Sequence, residues 1–234
     1  MSQDFTNLLS TEQKIRLGLY QAFKGDAEKA YDFIMQSAQV TPTQWMPLPG
    51  TSTNEDGIYF IDEYGRVIKF NDSESEIPRD TSYITYIGII DGSRSLKVSV
   101  KSFEAHVQDY NFERDSIKDF SRYIKCELDA LMDWDGEKNT KHILTQCPAL
   151  KNELKDGEYI PSLGQLVFIW RHRHQINKAL NFIGYNSLSW HTIWSSTERD
   201  VVNGWNVDFT NGAVFYDCKE LTYTVHAVAD FYLA

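Results

Sequence analysis

The stretch from Gly157 to Phe231 constrains the fold most, because helix and hairpin signals alternate in it at short range. Ser162 followed by Gln165 is a capping-box pattern, in which each side chain satisfies a free backbone N–H at a helix start. A helix is therefore expected from Ser162 through Leu166, Ile169, Trp170, Ile176, Leu180 and Ile183, closed by Gly184. Beyond it the period changes to two. Trp205 to Phe209 alternates, Thr210-Asn211-Gly212 supplies Asn-Gly turn chemistry, and Ala213 to Tyr216 completes a hairpin. Tyr223 to Phe231 forms a last strand with Tyr223, Val225, Ala227, Ala229 and Phe231 on one side.

Upstream, Gly57-Ile58-Tyr59-Phe60-Ile61 and Val67-Ile68-Lys69-Phe70 flank Glu63-Tyr64-Gly65-Arg66, a first hairpin. Ile84 to Ile90 and Leu96 to Val100 flank Asp91-Gly92-Ser93-Arg94, a second. The acidic segment 72–80 between them reads as an exposed loop. Ile117, Phe120, Ile124, Leu128 and Leu131 recur at helical spacing, which predicts an amphipathic helix from Asp115 to Met132. A shorter helix is expected over Asn139 to Cys147. Strands, then helices, then strands again make the expected class α+β.

Residues 1–48 differ from the rest. Ser10 with Gln13 opens a helix carrying Ile15, Leu19, Ala22 and Phe23, and Asp26 caps a second with Ala30, Tyr31 and Ile34. Short amphipathic helices need a partner surface, either this chain or another protein. Prolines 42, 47 and 49 end the helical region. The expected organisation is a helical anchor or oligomerisation segment at 1–48, a linker at 49–56 and a domain at 57–234.

Composition narrows the function. A net charge of −10 repels phosphate backbones, so nucleic-acid binding is disfavoured. Cys126, Cys147 and Cys218 are odd in number and widely spaced, which indicates neither a disulfide framework nor a zinc knuckle. No secretory signal is read at the N-terminus, and no apolar run is long enough to insert in a membrane. Folding in a reducing cytoplasm is expected. Aromatic residues make up 14% of the chain, a high share that suits both β-rich cores and recognition surfaces, with core packing accounting for most of them.

Three segments carry a family resemblance. Gly157-Glu158-Tyr159-Ile160-Pro161-Ser162-Leu163-Gly164-Gln165-Leu166 matches a G-x-Y-x-P-S-x-G-x-L helix entry. Trp194-Ser195-Ser196-Thr197-Glu198 matches a W-S-S-T-E segment. Gly204-Trp205-Asn206-Val207-Asp208-Phe209-Thr210-Asn211-Gly212-Ala213-Val214 matches an A-W-x-V-x-F-x-x-G-x-V hairpin, with Gly204 in place of Ala. The chain thereby resembles C-type-lectin-like domains of the bacterial and phage type, including Legionella-collagen-like C-terminal domains and retroelement-diversified variable proteins. The resemblance covers residues 55–234 and is densest over 157–231. Relatives often end V-R-A-V, whereas this chain has Val225-His226-Ala227-Val228, so no role is carried over to His226.

The resemblance implies a C-type-lectin-like α+β domain of short twisted antiparallel strands with two or three helices. It also implies a binding face on the last hairpins. By position, the candidates are His191, Thr192, Arg199, Asp200, Val201, Asn203, Asn206, Asp208, Thr210, Phe215, Tyr216, Asp217, Glu220 and Tyr223. Trp194 and Trp205 are expected to pack inside, with their polar neighbours free to face a partner. The implied role is a non-enzymatic virion protein. It would be a homo-oligomer attached to other virion proteins through its N-terminal helices, with its terminal hairpins binding a host surface protein or glycan. Alternatives are a virion decoration or connector protein and a bacterial surface adhesin domain.

Catalytic and metal chemistry find little support. Asn206 and Asp208 share a strand face, but two ligands fall short of the six to eight oxygens calcium takes, and no Pro-centred sugar-binding loop is present. His172 and His174 lie two apart on a helix and point in different directions, so Arg171-His172-Arg173-His174 reads as an exposed basic face. Ser195 and Ser196 lack a G-x-S-x-G elbow. Formylglycine-generating enzymes have a related fold, but their paired catalytic cysteines have no counterpart here. No cofactor or metal is expected.

Overall fold

The computed structural model describes residues 55–71, 81–107, 123–188 and 191–232. The anchor expected at 1–48 and the acidic loop at 72–80 lie outside them. The strands are β1 (Gly57–Asp62), β2 (Val67–Lys69), β3 (Ile84–Asp91), β4 (Arg94–Ala105), β5 (Thr192–Glu198), β6 (Asn203–Asp208), β7 (Ala213–Cys218) and β8 (Tyr223–Ala229). Between β4 and β5 come helices α1 (Glu127–Met132) and α2 (Gly136–Gln146), a 3-10 turn (Pro148–Asn152), α3 (Leu163–Arg171) and α4 (Arg173–Phe182).

All the strands join one eight-stranded sheet in the order β2-β1-β3-β4-β8-β5-β6-β7. Its neighbours are antiparallel except β5 and β8, which meet in parallel at Ile193 and Thr224. The expected C-type-lectin-like α+β arrangement is corrected by this sheet. β8 bonds to β4 on one side and to β5 on the other, so the two groups of hairpins become one mixed sheet. The helices are short and lie between the strand groups in the chain.

Strand alternation assigns the two faces. Phe60, Ile87, Ile89, Leu96, Val98, Ile193, Val207 and Val228 pack against Leu131, Leu163, Leu166, Ile169, Ile176 and Leu180 of α1, α3 and α4. On the opposite face Ala105, Trp194 and Val225 pack against Ile143, Cys147, Leu150 and Ile160, beneath α2 and the 3-10 turn. β5 is therefore covered on both sides, and every residue from Ile193 to Glu198 is buried.

Two helix expectations are also corrected. The helix from Asp115 to Met132 is helical only at Glu127–Met132 among its described residues. Ile124 instead donates its N–H to the Glu198 carbonyl at 2.9 Å and accepts the Trp205 indole N–H at 2.7 Å. These tertiary bonds hold its backbone outside a helix. The long helix after Ser162 breaks at His172. Its ring Nδ1 lies 2.9 Å from the Phe168 carbonyl, the group that would accept the His172 N–H in a continuous helix. Arg173 bonds the Trp170 carbonyl at 3.0 Å and stacks on the Trp170 ring at 3.9 Å. The expected exposed basic face is thus partly a helix junction.

Trp170 also closes the β6–β7 turn. Its indole N–H donates to the Phe209 carbonyl, and its ring lies under Gly212, where φ is +77°. A Cβ at that glycine would sit 2.3 Å from the ring. Gly212→Ala combines a left-handed backbone with overpacking against a held side chain. It should cost about 2 kcal/mol, read as a lower urea midpoint with an unchanged slope.

Candidate recognition site

The Trp-Ser-Ser-Thr-Glu segment forms a buried polar network along β5. Ser195 Oγ donates to the Trp205 carbonyl at 2.7 Å, and the Ser196 N–H to the Pro161 carbonyl at 2.7 Å. Thr197 Oγ1 donates to Asp133 Oδ2 at 2.7 Å and accepts the Leu163 N–H at 2.7 Å. The capping box forms as expected, with Ser162 and Gln165 bonding each other's backbone N–H groups. Glu198 Oε1 accepts from the fully buried Lys219 ammonium and, at 3.3 Å, from Gln146 Nε2. Trp194 and Trp205 are buried as expected, but the idea that their polar neighbours face a partner is corrected. Ser195, Ser196, Thr197 and Glu198 are instead buried and hydrogen-bonded within the protein.

An open cavity of about 490 Å3 lies where β5 and β8 begin and β6 ends. Its lining includes the candidates His191, Thr192, Asp208, Thr210 and Tyr223. Thr192 and Asp208 face each other across β5 and β6. The Tyr223 ring packs on Trp194 with centroids 4.9 Å apart. Its hydroxyl donates to Asp217 Oδ2 at 3.2 Å, and Asn206 Nδ2 donates to the same oxygen at 3.0 Å. Burial, reinforced by Asp217, pushes the Tyr223 phenol up, so it remains a donor at neutral pH. Asn206 Oδ1 is buried without a hydrogen-bond partner.

Glu104, Thr222 and Thr224 complete the lining and were missed by sequence reasoning. Glu104 Oε1 accepts from Thr224 Oγ1 at 2.6 Å, across the register that pairs the two residues on β4 and β8. Thr222 and Thr224 flank the candidate Tyr223, a local signal that could have flagged them. Glu104 carries no such signal, because only the pairing of distant strands brings it near.

The chain matches no protein-family model and no curated protein. Its fold is similar to that of a solved fimbrial protein from Bacteroides ovatus. The TM-score is 0.56 at 16% identity, over 76% of this chain and 49% of that one. This chain thus spans about half the length of the fimbrial protein. The similarity concerns the fold alone, and it agrees with the sheet in setting the lectin-like expectation aside.

The remaining candidates divide between the two faces of the outer strands. Phe215 and Asp217 pair with Asn206 and Gly204, on the face of the sheet shared by Asp208 and Thr192. Tyr216 pairs with Trp205 on the reverse side, where Arg199 stacks over its ring at 3.8 Å. Asp200 lies beside Arg199, with 3.0 Å between Nη1 and Oδ2. Burial alone would raise the Asp200 pKa, but bonds from Asn203 and Val202 and the Arg199 charge hold it below the usual range. Arg199, Asp200, Asn203 and Tyr216 thus form a separate cluster, with Val201 and Val202 in the intervening turn. Glu220 lies in the β7–β8 turn. Among the described residues, no group of three or more His, Cys, Asp or Glu side chains could hold a metal ion. No helix among them is long and apolar enough to cross a membrane.

Proposed function

We propose that the chain is a non-enzymatic recognition module displayed on an assembled particle, where its C-terminal cavity engages a host surface molecule. The observation that carries this reading is the convergence of His191, Thr192, Asp208, Thr210 and Tyr223 on one cavity. Its volume falls within the ~300–1,000 Å3 of ordinary ligand sites. Hydrogen bonds of Thr224 to Glu104, Thr210 to Asp208 and Tyr223 to Asp217 hold lining side chains in place before any ligand arrives, which limits the entropy lost on binding. Display in many copies turns modest single-site affinity into firm attachment. A virion is the particle this reading names, with residues 1–48 as the attachment segment. The fold shared with a fimbrial protein is compatible with an assembled exterior structure.

Thr210 is exposed on the cavity rim, so Thr210→Arg fills the cavity without entering the core. Binding of the purified full chain to host cells should fall at least tenfold, with the melting temperature unchanged. Unchanged cell binding would remove the cavity from the function. A second reading, a decoration or connector role, draws on Phe215 and Tyr216, which are 51% and 46% exposed on the outermost strand of the described sheet. Under it, Phe215→Ser with Tyr216→Ser lowers incorporation into purified particles while host binding is unaffected.

A further inference from the structure

We propose that the cavity takes a cationic side chain, a lysine ammonium or an arginine guanidinium, presented by a protein on the host surface. The inference rests on the recognition reading above and names the ligand's chemistry. It follows from the direction of the hydrogen bonds in the lining. Thr224 Oγ1 gives its proton to Glu104 at 2.6 Å, and Thr210 Oγ1 gives its proton to Asp208 Oδ1 at 2.6 Å. Tyr223 gives its hydroxyl proton to Asp217. These hydroxyls therefore offer a ligand only lone pairs.

The carboxylates also retain capacity. Asp208 Oδ1 accepts from the Thr210 N–H and hydroxyl, while Oδ2 has no hydrogen bond among the described residues. Glu104 Oε1 accepts from Thr224, while Oε2 has none. No lysine or arginine lines the cavity. The lining thus carries two carboxylates with unused oxygens and three hydroxyls committed as donors, while the Thr192 and Thr222 hydroxyls can both donate and accept.

That pattern discriminates among ligands. A neutral sugar can use the Thr192 and Thr222 hydroxyls but leaves the Glu104 and Asp208 charges uncompensated. Ammonium and guanidinium groups only donate, with three and five N–H bonds respectively, and they neutralise the carboxylates as they bind. An anionic ligand meets repulsion from both Glu104 and Asp208. The overall charge of −10 steers cations toward the chain before contact.

The test uses the isotope-labelled full chain titrated at low salt and followed by NMR. The probes are the capped peptides acetyl-Gly-Arg-Gly-amide and acetyl-Gly-Lys-Gly-amide, their citrulline and glutamate counterparts, and the neutral disaccharides lactose and maltose. Saturable shifts at Thr210 and Thr222 to Thr224 are expected with the cationic peptides, at least tenfold tighter than with any other probe. Glu104→Gln with Asp208→Asn preserves the acceptors used by Thr224 and Thr210 while removing both charges. It should weaken the cationic peptides at least tenfold without changing the melting temperature. Equal or tighter binding of citrulline, glutamate or a disaccharide overturns the proposal, as does cationic binding that survives the double substitution. If no cationic peptide binds but Thr210→Arg still abolishes attachment to host cells, the ligand class is wrong and the recognition reading stands. If both experiments fail, both readings fall.

Discussion

Lys219→Met should destabilise the protein by about 3–5 kcal/mol, the range for breaking a buried ion pair from one side. Lys219 is fully buried, and its ammonium bonds both Glu198 and the Val201 carbonyl, the latter at 3.2 Å. Removing it takes the opposite charge away from the nearly buried Glu198 carboxylate, which also accepts from Gln146 Nε2 at 3.3 Å. The loss comes mainly from a buried carboxylate left without its counter-charge. Glu198→Gln combined with Lys219→Met should consequently recover much of it, because a neutral amide loses less on burial. Urea unfolding of the wild type, both single variants and the double variant measures the coupling. A double variant as unstable as the sum of the singles would show that the two groups act independently.

Acidification should remove about 3 kcal/mol of stability between pH 6.5 and pH 4 through His226 alone. Its side chain is buried opposite the irregular register of β4, and neither ring nitrogen has a hydrogen-bond partner. Burial pushes its pKa down to about 4 from 6.5, against a weaker opposing pull from the Ser99 backbone. Below pH 6.5 the unfolded chain takes up a proton that the folded chain refuses until about pH 4. Stability is therefore full above the unfolded value and declines as pH falls toward the folded one. A difference of about 2.5 units at 1.36 kcal/mol each sets the size of the effect. His226→Met should keep its stability at pH 7, since it leaves no ring nitrogen unpaired, and should flatten the decline. An equally steep decline in that variant would assign the acid sensitivity to carboxylates.

Local signals in the sequence identified the parts that local chemistry determines. The capping box of Ser162 and Gln165, the Asp91-Gly92 turn and the Asn211-Gly212 turn each depend on atoms a few residues apart, and all are present. The sheet order was not legible, because it depends on β8 finding β4 and β5 across long separations. Ile124 fits a helical stripe, but its backbone bonds Glu198 and Trp205 instead. The site was partly visible for the same reason. Asp208, Thr210 and Tyr223 lie on neighbouring terminal hairpins, whereas Glu104 arrives from β4. Choosing candidates by chain position also ignored strand alternation, which sends Phe215 and Tyr216 to opposite faces.

The order of the sheet also bears on how the protein is made. β8 follows every other strand in the chain yet lies between β4 and β5. A growing polypeptide that has not yet emerged past Tyr223 can form two separate meanders but cannot join them. During that interval β4 and β5 each present an open edge, the kind of surface that invites pairing between neighbouring nascent chains. Acid-weakened β8, with His226 at its centre, would return a finished molecule toward that divided state. Cotranslational chaperone contact should accordingly peak just before β8 emerges and fall once the two halves have closed around it.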